Sequence, residues 1–125
     1  MQLSARRVFE EVVAPLATRF QPDLILVSAG FDAHARDPLA NMVFSSSTFH
    51  FLCDQTKRLA NACCGGKVVF VLEGGYDVDA LGESVCESFR ALLGEPSATK
   101  AMPEESSATE RVKKVVEECM RIHPA

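Results

Sequence analysis

No cluster of Lys and Arg appears in this sequence, no apolar run approaches the ~20 residues that cross a bilayer, and its five cysteines never stand at CxxC spacing. Each absence excludes something. Without a basic cluster, and with a formal net charge of −4, direct binding to a nucleic-acid backbone has no electrostatic footing. Without a long apolar run there is no membrane-spanning helix. The opening MQLSARRVFEEVV also lacks the uninterrupted apolar core of a secretory signal. Cys53, Cys63, Cys64, Cys86 and Cys119 form an odd set. Most sit at apolar positions of expected helices, where Cys packs as a small hydrophobe. The adjacent Cys63-Cys64 pair reads as helix-end packing before redox or soft-metal chemistry, and a reducing compartment follows. GxSxG, HExxH, P-loop and GxGxxG motifs are all missing, which removes support for serine-hydrolase, zincin and nucleotide-binding readings. There are no internal repeats.

What remains is the composition of one folded domain: 125 residues, 47% hydrophobic and 24% charged. Residues 4–20 read as a helix with an inner stripe of Val8, Val12, Leu16 and Phe20, kinked or shortened at Pro15. LILVSA (24–29) and KVVFVL (67–72) are continuous apolar runs, as expected of strands buried on both faces of a parallel sheet. Between them, 30–45 reads as a long loop. A helix then starts near Ser47 or Thr48 and ends at Gly65-Gly66, with Phe49, Leu52, Thr56, Leu59 and Cys63 inward. Asp79 is placed to cap a third helix whose inner face is Val85, Phe89 and Leu92, closed by Gly94. A Pro-, Ser- and acid-rich linker over 97–108 leads to an amphipathic helix over 109–125, with Val112, Val115, Val116, Cys119 and Ile122 inward. Its charged face reads as a solvated one.

The fold class is therefore α/β. Two buried strands joined by a helix imply a parallel βαβ crossover, so both strands end on one edge of the sheet. The loop with Asp32 and the loop with Gly74-Gly75-Tyr76 must share that edge, where open α/β sheets hold their ligands. Two strands alone leave both sheet edges unpaired, an aggregation hazard.

Each candidate residue carries two readings. Asp32 is either a turn aspartate or a metal ligand at a strand's carboxyl end. His34 is a loop histidine unless Asp32-Ala33-His34 closes on one ion. Gly74-Gly75-Tyr76 is either a plain turn or a close backbone approach that holds a tyrosine hydroxyl toward a carbonyl gaining negative charge. His50 and His123 lack partners at ligand spacing and read as structural or surface residues.

SAGFDAHARDPLA (28–40), then VLEGGYD (71–77), then FRALLGEP (89–96) resemble the C-terminal third of class II histone deacetylases. The resemblance runs over residues 5–96, and DPLAN and CGGK are most similar to plant organelle-type members and their bacterial relatives. It implies the C-terminal portion of an arginase/deacetylase-like three-layer fold with a parallel sheet over residues 1–96. It also implies a Zn2+ cofactor and hydrolysis of acetyl-lysine amides on proteins or histones. By that resemblance Asp32 is the second aspartate ligand, Tyr76 polarises the acetyl carbonyl, and Leu39, Gly74 and Gly75 line the acyl-lysine tunnel. Leu39 stands where the polyamine-preferring branch carries an acidic residue, so acyl-lysine suits this sequence better than a polycation.

The family's tandem His pair and Asp-x-His ligands lie upstream of the matched motifs; neither is supplied here, because Asp32-Ala33-His34 falls at the second-aspartate motif. The expectation is a piece of a deacetylase, inactive by itself, whose parent is the enzyme. The alternative is a truncated product acting as a non-catalytic interaction module. The compartment stays open among plastid, mitochondrion, cytoplasm and nucleus.

Overall fold

The computed structural model describes residues 2–39, 41–100 and 106–124. The chain opens with helix α1 (Gln2–Val8), a π-helical segment (Phe9–Val13) and helix α2 (Ala14–Phe20). The widened turn has a local cause. Pro15 has no N–H to donate and its ring crowds the preceding turn. The Ala14 N–H immediately before it bonds five residues back, to Phe9 O. One residue of extra slack absorbs the proline without breaking the helix. That slack also redirects the faces. Ser4 and Phe9 are buried, Val12 and Leu16 are half-buried, and Val8 and Phe20 lie exposed, so the expected stripe holds only at its centre.

Strand β1 (Ile25–Ala29) pairs in parallel with β2 (Val68–Leu72), in register from Ile25↔Val68 to Ala29↔Leu72. The expectation of burial on both faces is not met within these residues. Exposure alternates along β1 and over Val68–Val71 of β2, and Leu26, Val69, Val71 and Leu72 stay open to solvent. Successive strand residues point to opposite faces, and the described helices cover one face only.

Helix α3 (Ser46–Cys64) begins earlier than expected. Ser45, with extended backbone, is its cap, and the Ser45 N–H donates to Thr48 Oγ1 at 3.4 Å. Gly65 and Gly66, both at positive φ, end it as the sequence suggests. Helix α4 (Val78–Leu93) is capped by Asp77 and not by Asp79: Asp77 Oδ1 accepts the Ala80 N–H at 2.7 Å. A cap reaches three residues forward, and Asp79, inside the first turn, instead sets its charge against the positive helix end.

On α3 Phe49 is buried as expected, and the rest of both expected inner faces is corrected. Helices α3 and α4 pack on each other, with Cys53, Ala60 and Cys64 buried on α3 and Ala80, Ser84 and Ala91 buried on α4. Leu52, Thr56, Leu59 and Cys63 are only half-buried, and on α4 Phe89 is exposed while Val85 and Leu92 are half-covered. Close helix pairing selects small residues, whereas a periodicity reading gives weight to large ones. Lys57 Nζ reaches across to Leu92 O at 2.7 Å, and Cys53 Sγ to Ser88 O at 3.3 Å.

After α4 the buried Glu87 carboxylate accepts the Ala98 N–H at 3.0 Å and the Ser97 hydroxyl. The first part of the expected linker is thereby pinned to α4. Helix α5 (Ser106–Ile122) begins within that linker, three residues before the expected 109. A first turn of sequence Ser-Ser-Ala-Thr carries no large apolar residue and leaves no periodic signal. Helix α5 packs on α1 and the π segment through Val116, with Val112 and Cys119 half-buried. Val115 and Ile122, expected inward, are exposed because they flank this narrow contact. Among the described residues no helix is long and apolar enough to cross a membrane.

Candidate active site at the carboxyl edge of the sheet

Strand pairing does not stop where the strands do. The Glu73 N–H donates to Ala29 O at 3.0 Å, and the Phe31 N–H donates to Gly74 O at 2.7 Å. The parallel ladder thus runs on into both loops and draws them together at one edge. Phe31 is buried with its ring 5.0 Å from that of Phe49, which anchors the first loop on α3. Asp32, the next residue, is half-buried at the surface.

The two loops meet through the Asp32 carboxylate. A Cβ placed on Gly74 would lie 2.9 Å from Asp32 Cγ, and 3.1 and 3.2 Å from its two oxygens. A Cβ on Gly30 would lie 2.9 Å from Asp32 Oδ1. The carboxylate therefore fills the space that two glycines leave. It accepts no hydrogen bond and makes no ion pair among the described residues. Gly75 follows at φ 137°, where a Cβ would stand 3.0 Å from Leu81 Cδ1 and 3.2 Å from Phe31 Cβ. Tyr76 comes next, with its side chain largely exposed, as is that of Leu39.

Asp37 was not singled out from the sequence, yet it joins these parts. It is buried, its Oδ2 accepts the Tyr76 N–H at 2.7 Å, and its Oδ1 accepts the Leu39 N–H at 3.0 Å. An Asp before Pro is a turn signal, and that signal alone does not reveal a partner 39 residues away. The 30–45 loop is also more ordered than a loop reading implies. The Ala35 N–H bonds to Phe44 O, the Phe44 N–H bonds to Ala33 O, and His34 and Phe44 form a single parallel bridge.

His34 turns away from Asp32. Its Nδ1 accepts the Arg36 N–H at 3.1 Å, which places the ring proton on Nε2, 3.3 Å from Ser46 Oγ. Ser84 Oγ donates to the same Ser46 hydroxyl at 3.2 Å. The notion that Asp32 and His34 close on one ion is thus corrected: the ring is spent on docking the loop to α3. Burial, and then the nearby Arg36 guanidinium, hold the His34 pKa below its ordinary 6.5. The unfolded chain therefore binds a proton that the folded chain resists, so stability rises with pH. The expected result is a melting temperature that falls as pH drops below about 6.5, and a shallower fall in His34→Gln. His50, as the sequence suggests, is structural, with Nε2 2.8 Å from Glu95 O.

Among the described residues no group of three or more His, Cys, Asp or Glu gathers to hold a metal. Asp32 supplies one candidate ligand, and a closed or catalytic zinc site needs at least three from protein. These residues do not complete such a site.

A family model described as "Histone deacetylase domain" matches residues 2–92. The chain belongs to the histone deacetylase family. It is 57% identical over 95 residues to "Histone deacetylase 14, chloroplastic" of Arabidopsis thaliana, covering 76% of this chain and 22% of that protein. It is 43% identical over 122 residues to "Histone deacetylase 10, chloroplastic" of Oryza sativa subsp. japonica, covering 94% and 28%. The "Polyamine deacetylase HDAC10" of Homo sapiens is 42% identical over 95 residues, covering 76% and 14%. Among solved structures, the HDA15 HD domain superposes with a TM-score of 0.77 at 30% identity, over 98% of this chain and 32% of that one. The chain thus has the arginase/deacetylase fold and spans between a seventh and a third of these relatives' lengths. Within the deacetylase fold, the edge carrying Asp32 and Gly74-Gly75-Tyr76 is where the two strand-end loops abut.

Proposed function

We propose that these residues form one wall of a zinc-dependent, class II-type acetyl-lysine hydrolase, with the remaining ligands and the general base supplied from outside residues 1–125. The observation that carries this reading is the seating of the Asp32 carboxylate against the Gly74 backbone, with no hydrogen-bond partner among the described residues. A sheet edge that holds an uncommitted carboxylate beside a tyrosine loop suits a metal ligand next to an oxyanion donor. In this reading zinc is the cofactor of the complete domain and Asp32 is one of its ligands. The Tyr76 hydroxyl donates to the acyl oxygen as charge grows there. Leu39, Gly74 and Gly75 line the acyl-lysine channel. An apolar Leu39 offers a polyamine no counter-charge, which favours a neutral acylated lysine on a protein or histone. The names of the two chloroplastic relatives favour a plastid.

Two preparations test the reading. One is residues 1–125 alone; the other joins them to the upstream segment that bears an adjacent His pair and an Asp-x-His motif. Zinc content and turnover of an acetyl-lysine peptide are measured on both. The expected result is neither property in the first and both in the second. Turnover by the short chain would refute its incompleteness, and a zinc-free, inactive long chain would refute the enzyme reading.

A further inference from the structure

Asp37 is a buried carboxylate that the chemistry above leaves without a role. Both of its oxygens accept backbone N–H groups, and the two donors belong to different loops: Leu39 on its own, Tyr76 on the loop after β2. Asp37 itself is held, since its N–H donates to His34 O at 2.9 Å, and Pro38 follows with its backbone torsion fixed. The group it grips is less constrained. Tyr76 follows Gly75 at φ 137°, a conformation that glycine reaches freely and L side chains rarely adopt. Tyr76 is 58% exposed, so packing does little to orient it. A charge-assisted bond of 2.7 Å at the Tyr76 N–H is therefore the restraint on where its side chain starts.

We propose that Asp37 is a positioning residue for Tyr76. It clamps the Gly75–Tyr76 peptide, and with it the hydroxyl's place over the reacting carbonyl, in register with Leu39. The proposal rests on the deacetylase reading above. The ionised carboxylate is acceptor-only, so Asp37→Asn must turn an amide N–H2 toward one of the two donors and lose that bond.

The test is a double-mutant cycle in the complete deacetylase domain: wild type, Asp37→Asn, Tyr76→Phe and the double variant. Each is checked for zinc content and melting. Displacement of a reacting group by a fraction of an ångström to an ångström costs about tenfold or more in kcat. Asp37→Asn is expected to show that loss with zinc retained. In the Tyr76→Phe background the same change is expected to have almost no effect, because the hydroxyl it positions is gone. Equal losses in both backgrounds would make Asp37 a structural residue and overturn the proposal, as would wild-type kcat in Asp37→Asn. Loss of zinc in Asp37→Asn would also overturn it, by placing the role on the Asp32 loop. If Asp37→Asn does not fold, Asp37→Glu, which keeps two acceptor oxygens one methylene further out, takes its place with the same outcomes. Full activity in Tyr76→Phe alone would instead overturn the deacetylase role of Tyr76, and it is read without touching Asp37.

Discussion

Tyr76→Phe in the complete deacetylase domain is expected to lower kcat by about 10²- to 10³-fold, with KM for an acetyl-lysine peptide nearly unchanged. The split follows from what the substitution removes. Deleting one oxyanion donor takes away an interaction that strengthens only as charge develops, so ground-state binding survives. The fold survives too. The Tyr76 side chain is largely exposed, its hydroxyl makes no hydrogen bond among the described residues, and its structural tie runs through the backbone N–H. Steady-state kinetics and a thermal melt on the same preparation check both halves. A large rise in KM with kcat intact would move Tyr76 from catalysis to binding.

Gly74→Ala is expected to be nearly as damaging, for a steric reason. The new methyl would meet Asp32 Cγ at 2.9 Å and both carboxylate oxygens within 3.2 Å. Gly74 is not held at positive φ, so the backbone tolerates alanine and the cost falls on the carboxylate. A ligand displaced by part of an ångström weakens metal affinity, and losses of 10- to 100-fold are typical when a ligand's support is removed. Zinc content measured by atomic emission after dialysis is expected to fall along with kcat/KM. Gly82→Ala is the control. It lies within α4, a Cβ there meets nothing within 4 Å, and the change is expected to add about 0.5–1 kcal/mol of stability without loss of zinc. Retention of zinc in Gly74→Ala would mean that Asp32 is not a ligand held in this geometry.

The topology was legible in the sequence because it depends on large, local signals. Two continuous apolar runs with a helix between them force parallel strands, and parallel strands force their following loops to one edge. Asp32, Gly74, Gly75 and Tyr76 reached the same edge by that route. Helix faces were less legible. Phe89 looks inward by size and is exposed, whereas Ser84 looks neutral and is fully buried, since the α3–α4 contact rewards smallness. The Asp77 cap was missed for Asp79, two residues on, because both are acidic and only the backbone torsion separates them. Asp37 and Glu87 were invisible for a further reason: their partners, Tyr76 and Ala98, are found by the fold and not by spacing.

The widened turn at Phe9–Val13 also bears on how this segment should be compared with its relatives. A π turn is the footprint of one surplus residue in an otherwise regular helix. A homologue lacking that residue can run as an uninterrupted α-helix through the same space. Residues before the turn would then be rotated by about 100° relative to those after it, one residue's share of a helical turn. Apolar positions on the two sides of the Phe9–Val13 turn consequently obey different phases. Pairing them column by column needs a one-residue gap between Phe9 and Val13, and a substitution there should be judged against the phase of its own side.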